Sequence, residues 1–295
     1  MNIVFIGTVN FSYHCLEQVL KNKGQVKGIV TLKKSDYNND FKDITPIANH
    51  FDIPIHYCNH INDKETVNWI KNKFPDIIFC FGFSQFLKNE LLDIPPMGIL
   101  GTHPTLLPKN RGNHPIIWAL ALGLNESGLS FFFLEPKIDS GRILSQKQFE
   151  ITKNDTASTI YEKMKEVASV QIATFMPQLI SGNYKTVKQN HKDSNVWRKR
   201  SIKDGIIDWR MNCDAIFNLI RALTKPYPSA IFYHKKQIIK VWKAKVIKQS
   251  IPRNVEPGKI LHLINQKPVI KCYDGAIQLL EYEPKIDFIC GEYLS

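Results

Sequence analysis

The chain has 295 residues, 43% hydrophobic and 22% charged, which is enough apolar side chain to bury a core and rules out wholesale disorder. No apolar run approaches the ~20 residues a membrane-spanning helix needs, and the opening run Met1–Gly7 lacks the basic flank and cleavage site of a signal peptide, so a cytoplasmic protein with no membrane partner is expected. The formal charge of +12 is uneven: residues 1–182 carry 18 Lys and Arg against 17 Asp and Glu, residues 183–295 carry 21 against 10, which suits either a solvated lysine-rich surface or a ligand bearing phosphate.

In chain order, Asn2–Ile6 reads as a buried strand, Tyr13–Lys21 as a helix and Val26–Leu32 as the next strand. A short helix Thr45–Phe51, a strand Ile53–Tyr57, a helix Asp63–Lys73 stopped by Pro75, and a strongly apolar strand Asp76–Phe81 follow. Strands at Gly98–Thr102 and Ser130–Leu134 come next, then a long amphipathic helix Thr156–Ile180 with Asp155 as its N-cap. This alternation predicts an α/β fold with a doubly wound, mostly parallel sheet over residues 1–182. A polar tract, 183–204, containing the basic run Trp197–Arg200, reads as a linker. Residues 205–295 read as a helix bearing Ile216, Leu219, Ile220 and Leu223, then short strands with turns at Pro257-Gly258 and Asp274-Gly275, a small β-barrel or meander.

Six cysteines stand alone with no CxxC pair, so neither a zinc ribbon nor a redox dithiol is indicated and no metal is expected. Gly7-Thr-Val-Asn-Phe lacks GxGxxG, which removes the dinucleotide fingerprint. The informative segment is Gly101-Thr-His-Pro-Thr-Leu-Leu-Pro-Lys-Asn-Arg-Gly112. It places His103 directly after a buried strand, at the carboxyl edge where α/β sheets bind ligands, with a side chain able to take a proton near neutral pH. Taken alone, such a histidine more often only caps a strand. A second apolar strand delivers Asp139 into an Asp-Ser-Gly turn, and a carboxylate there can orient an imidazole.

Together these segments resemble the folate-dependent formyltransferases, whose signature is Asn-x-His-Pro-Ser-Leu-Leu-Pro, then Arg-Gly, then a later Asp-x-Gly. His103, Pro104, Leu106, Leu107, Pro108, Arg111, Gly112, Asp139 and Gly141 match in order. Met1–Leu20, the loop Phe81–Leu87, Lys203–Trp209 and Arg221–Pro228 extend the likeness over nearly the whole chain. The resemblance implies a Rossmann-like catalytic domain and transfer of a formyl group from 10-formyltetrahydrofolate to an amine, with His103 as base and Asp139 positioning it. It puts the folate beside Phe81, Phe83, Gln85, Phe86, Leu87, Glu135 and Ile138, and the acceptor near Thr105, Arg111, Trp197, Arg198 and Tyr227. Among Phe79, Phe81, Phe83 and Phe86, the alternate spacing assigns at least two to the core and not to pterin stacking.

One departure stands out. The family's asparagine, thought to hold the formyl oxygen, is Gly101 here, and Asn110, Asn113 or His114 could substitute. A nucleotide-linked amino sugar is the expected acceptor, and a homodimer is a form that sugar formyltransferases often take. Initiator tRNA is the alternative, but members acting on it carry a basic, glycine-rich insertion after the second strand. Leu32–Asp43 has three lysines, three aspartates and no glycine. A non-catalytic folate- or nucleotide-binding protein is the third reading, and retention of His103 and Asp139 argues against it.

Overall fold

A computed structural model describes residues 1–34, 40–247, 251–252 and 254–294. The chain opens with β1 (Asn2–Ile6), α1 (Asn10–Lys21), β2 (Gln25–Thr31), α2 (Thr45–His50), β3 (Ile55–Tyr57), α3 (Lys64–Lys71), β4 (Ile77–Cys80) and the single turn α4 (Asn89–Leu92). It continues through β5 (Ile99–His103), β6 (Arg111–Gly112), α5 (Pro115–Ala121), β7 (Glu126–Phe133), β8 (Ile143–Glu150), α6 (Ala157–Ser181) and β9 (Val196–Trp197). The remainder holds α7 (Cys213–Leu223), β10 (Ala230–His234), β11 (Gln237–Ile247), β12 (Ile260–Ile264), β13 (Lys267–Lys271) and β14 (Ala276–Glu283).

Seven strands form one sheet in the order β3-β2-β1-β4-β5-β7-β8, parallel from β3 to β5, with β7 antiparallel to β5. The strands at its centre are apolar on both faces because helices cover both: Ile3–Ile6 and Ile77–Phe79 are fully buried. Each such Ile or Phe contributes ~1.5–3 kcal/mol. On α6 the buried Ile160, Met164, Ala168, Ile172, Phe175 and Leu179 recur at helical spacing. The carboxyl ends of β1, β4 and β5 are neighbours, so their loops open at one edge.

Several expectations shift. Helix α1 begins at Asn10, three residues before Tyr13, because the Ser12 hydroxyl accepts the amides of Thr8 and Val9 at 3.1 and 3.2 Å and donates to the Phe81 carbonyl. Strand β8 was not expected; its side chains are mostly exposed, so it shows no apolar run. Helix α6 begins at Ala157, two residues after Asp155, whose carboxylate closes the Thr152 turn at 2.7 Å and accepts the Thr159 hydroxyl at 2.8 Å.

The chain divides into two compact units, Met1–Pro115 with Ser127–Phe149 and Tyr161–Trp197, and Ile116–Glu126 with Glu150–Ile160 and Arg198–Ser295. The tract expected as a linker, 183–204, is divided between the two units at Trp197 and Arg198. Its first part returns to the first unit, where Val187 bridges Ile143 and β9 pairs in parallel with β6. In the second unit, β10, β11, β14, β13 and β12 form an antiparallel sheet in that order. Two hairpins, β12–β13 and β13–β14, make a meander onto which β10–β11 is added, and among the described residues β10 and β12 do not close a barrel. Asn212 caps α7 by accepting the Ala215 amide at 2.7 Å. Among the described residues no helix is long and apolar enough to cross a membrane.

Candidate active site

Strand β5 ends at His103, which pairs with Ser130 of β7 and is 5% exposed. Its Nε2 lies 2.7 Å from the Asn110 carbonyl, so Nε2 carries the proton and donates it there. Nδ1 faces Asp139 Oδ2 at 3.6 Å. That separation is longer than a hydrogen bond, and such contacts tighten when substrate binds.

The irregular loop after His103 is stitched down group by group. Ser127 and Ser130 hydroxyls donate to the carbonyls of Pro104 and Thr105 at 3.1 and 2.6 Å, Gln146 donates to that of Leu107 at 2.9 Å, and the Thr105 hydroxyl donates to that of Lys109 at 3.0 Å. Asn195 accepts the amide of Asn110 on its side chain and that of Arg111 on its carbonyl. A loop tied down at this many of its backbone groups is held as a platform.

Asp139 sits in the left-handed region at φ 48°, and the Gly112 amide donates to its Oδ2 at 2.8 Å. Gly112 has φ 97°, and a Cβ there would lie 2.4 Å from the Trp197 carbonyl. A Cβ on Gly141 would lie 1.8 Å from the Phe133 carbonyl. The two glycines let the loops converge on the carboxylate.

Of the expected folate residues, Phe81 is fully buried among Phe5, Phe79 and Phe131, and Leu87 is 6% exposed; both are core, because they continue the inward face of β4 and its loop. Phe83 is half-buried and Phe86 is 58% exposed. Gln85 spans to the next loop, accepting the Ile61 amide at 2.7 Å and donating to the Asn59 carbonyl at 3.1 Å, which fixes the loop from outside. Glu135 is exposed and accepts from Ser140, and Ile138 is half exposed.

Of the expected acceptor residues, Thr105 and Arg111 are buried at 0% and 1% exposure and belong to the scaffold. Arg111 donates to Gln189 Oε1 at 2.6 Å and lies 3.0 Å from His191 Nδ1. Burial lowers the basicity of its guanidinium, and the nearby carboxylates of Asp139 and Glu135 partly restore it. Trp197 is half-buried on β9 in the same unit. Arg198 and Tyr227 belong to the second unit. There Arg198 pairs with Asp204 through both terminal nitrogens, holding that carboxyl well below the usual range, and stacks 5.2 Å from the Trp118 ring. Tyr227 donates its amide to the Thr224 carbonyl.

Asn113 and His114 are exposed, one and two residues past the Gly112 amide that holds Asp139. At Gly101 the place of a side chain is taken: a Cβ would meet Leu134 Cδ2 at 2.4 Å. Sequence reasoning missed Ser130, Gln146, Gln189 and Asn195, since polar residues acting by hydrogen bonds across long separations leave no periodic mark. Among the described residues no group of three or more His, Cys, Asp or Glu side chains could hold a metal.

The profile described as formyl transferase matches residues 1–175, and that of the formyl transferase C-terminal domain matches 200–287. The chain is 34% identical over 229 residues to the bifunctional polymyxin resistance protein ArnA of Wigglesworthia glossinidia brevipalpis, covering 77% of this chain but 34% of that protein's length. It is 27% identical over 301 residues to the methionyl-tRNA formyltransferase of Clostridioides difficile (strain 630), covering 100% of this chain and 96% of that protein. Its fold is that of WlaRD, a sugar 3N-formyl transferase crystallised with dTDP and 5-N-formyl-THF, with TM-score 0.72, 20% identity, and coverage of 97% of this chain and 99% of that one.

Proposed function

The chain belongs to the formyl transferase family, whose members are enzymes that transfer formyl groups, and on that premise we propose that it moves the formyl group of 10-formyltetrahydrofolate onto the primary amine of a nucleotide-linked amino sugar. The observation that carries this reading is the His103–Asp139 pair, with His103 ending β5 at the carboxyl edge of the sheet and Asp139 held by the Gly112 amide.

The folate supplies an electrophilic formyl carbon on a nitrogen that can leave. The chain's residues suit it: the loop Phe81–Leu87 offers the exposed ring of Phe86 and the half-buried ring of Phe83 on a backbone fixed by Gln85. His103 takes a proton from the incoming ammonium, leaving a neutral amine as nucleophile. Asp139 faces the imidazole at Nδ1 and stabilises the charge it acquires. The same pair then returns a proton to the departing nitrogen. Position 101 offers no side-chain donor for the formyl oxygen, so we assign that task to Asn113 or His114 in the loop beyond Gly112. A cytoplasmic location suits its six unpaired cysteines.

The dTDP named for the structural relative supports a nucleotide-linked acceptor. So does the segment after β2. It lacks a glycine-rich insertion, and its far end is tied to the first βα turn, the Asn10 amide donating to the Asp40 carbonyl and the Lys42 amide to the Thr8 carbonyl. Residues 35–39 of that segment lie outside the described residues. The methionyl-tRNA formyltransferase reading is favoured by likeness to such an enzyme over its full length and by the basic second half. Purified protein given 10-formyltetrahydrofolate with dTDP-linked and other nucleotide-linked amino sugars, beside charged initiator tRNA, separates the two. Formylated sugar nucleotide, read by mass, is expected. Formylation of the tRNA alone would overturn the sugar assignment.

A further inference from the structure

Gln189 lies in the polar tract between α6 and β9, yet only 4% of it is exposed. Burying an amide costs ~1–3 kcal/mol unless hydrogen bonds replace those to water. Every replacement reaches the active-site loops. Oε1 accepts from Arg111 Nη2 at 2.6 Å, while Nε2 donates to the Asp139 carbonyl at 2.9 Å and to the Gly141 carbonyl at 2.7 Å.

We propose that Gln189 is the positioning residue of the catalytic pair, holding the Asp139 carboxylate against His103 by gripping the Asp139 main chain. The inference rests on the role given above to His103 and Asp139. Asp139 has a left-handed backbone, a conformation an L-residue keeps only when its surroundings impose it. Its carboxylate is tied to the Gly112 amide, and its carbonyl is tied to Gln189. Gln189 in turn holds Arg111, the residue before Gly112 on β6. The contacts close a ring from the Asp139 carboxylate through Gly112, Arg111 and Gln189 back to the Asp139 carbonyl. Both ends of the aspartate are thereby fixed relative to one short strand. Without the donor at Nε2, the carboxylate end is anchored but the backbone is free to relax. The carboxylate then rotates about the Gly112 amide, and the 3.6 Å approach to Nδ1 is not maintained.

A plainer role would be to give the buried Arg111 a hydrogen-bond acceptor. The two roles use different atoms, so variants separate them. Gln189→Glu keeps an acceptor for Arg111 and removes both donors to the turn, whereas Gln189→Met removes everything. The test is steady-state kinetics and crystal structures of the full-length variants. Both are expected to lose ~10–10²-fold in kcat, the scale of an ångström-sized misplacement, with the KM for 10-formyltetrahydrofolate unchanged and Asp139 displaced from His103. Wild-type kcat in Gln189→Glu, with loss only in Gln189→Met, would show that Gln189 serves Arg111 alone and overturn the proposal. An unmoved Asp139 in both structures would overturn it as well. Should Gln189→Met fail to fold, Gln189→Glu decides. If the wild-type enzyme formylates none of the acceptors, it is the functional reading that fails, while the crystal structures still test the grip on Asp139.

Discussion

Asp139 Oδ2 serves two partners, the Gly112 amide at 2.8 Å and His103 Nδ1 at 3.6 Å. Asp139→Asn keeps the size and an oxygen for Gly112 while removing the charge that faces the imidazole. It should lower kcat by ~10²–10⁴-fold, the range for losing proton-transfer support, and change donor affinity far less. Equal losses in turnover and donor binding would mean that Asp139 acts by shaping the folate site. Gly101 poses a separate question, because Leu134 fills the space where a Cβ would lie. Gly101→Asn alone should therefore cost ~1–3 kcal/mol of stability through overpacking. Adding Leu134→Ala should recover part of that loss, with a coupling of ~0.5–3 kcal/mol in a double-mutant cycle of thermal or urea unfolding. Strict additivity would show that the two side chains do not share the space.

Strands β7 and β8 act on the site from a distance by holding the loop after His103. Ser130 is fully buried and central to this: its hydroxyl donates to the Thr105 carbonyl and receives the Leu107 amide and Gln146 Nε2. Ser130→Ala leaves these buried groups short of a partner, so a loss of ~1–3 kcal/mol is expected, with turnover falling more than folate affinity. Unchanged turnover would show that the loop keeps its shape without that hydroxyl. How far these elements could be read from sequence follows from how each is held. Ile3–Ile6 and Ile77–Phe79 are buried on both faces, so their apolar runs announce strands. His103 and Asp139 match a motif, His103 at the end of β5 and Asp139 in the turn that follows β7. Ile143–Glu150 was not, because its side chains face mostly solvent. The 183–204 tract reads as a linker because polar residues hold its first part in place: Gln189 and Asn195 work by directed bonds to residues 48–85 positions away. Phe81 and Arg111 matched the motif yet lie inside, since a motif names a residue type and not the direction it points.

Across the whole molecule, five of the six thiols are buried, and burial pushes Cys58 up to about 11 and Cys80 to about 12. Below the ordinary thiol range, folded and unfolded chains hold the same protons and these groups do not affect stability. From there upward the unfolded chain ionises first, so stability falls by up to ~1.4 kcal/mol per pH unit per thiol until the folded values are passed. Unfolding midpoints between pH 8 and pH 11 should drop, and Cys80→Ala should flatten that drop; an identical slope in the variant would exclude Cys80 as a contributor. The pairing of β6 with β9 also matters on another axis, that of time. Asn195 holds Asn110 across 85 residues of chain. A ribosome delivers the histidine, the aspartate and the central strands well before the tract that fastens them. The newborn chain is thus expected to pass through an interval in which the loop after His103 lacks its bonds to Asn195. For the same reason, a single protease cut in the polar tract is expected to lower turnover with less effect on the unfolding midpoint, a difference that activity and thermal-unfolding measurements on the nicked protein would read.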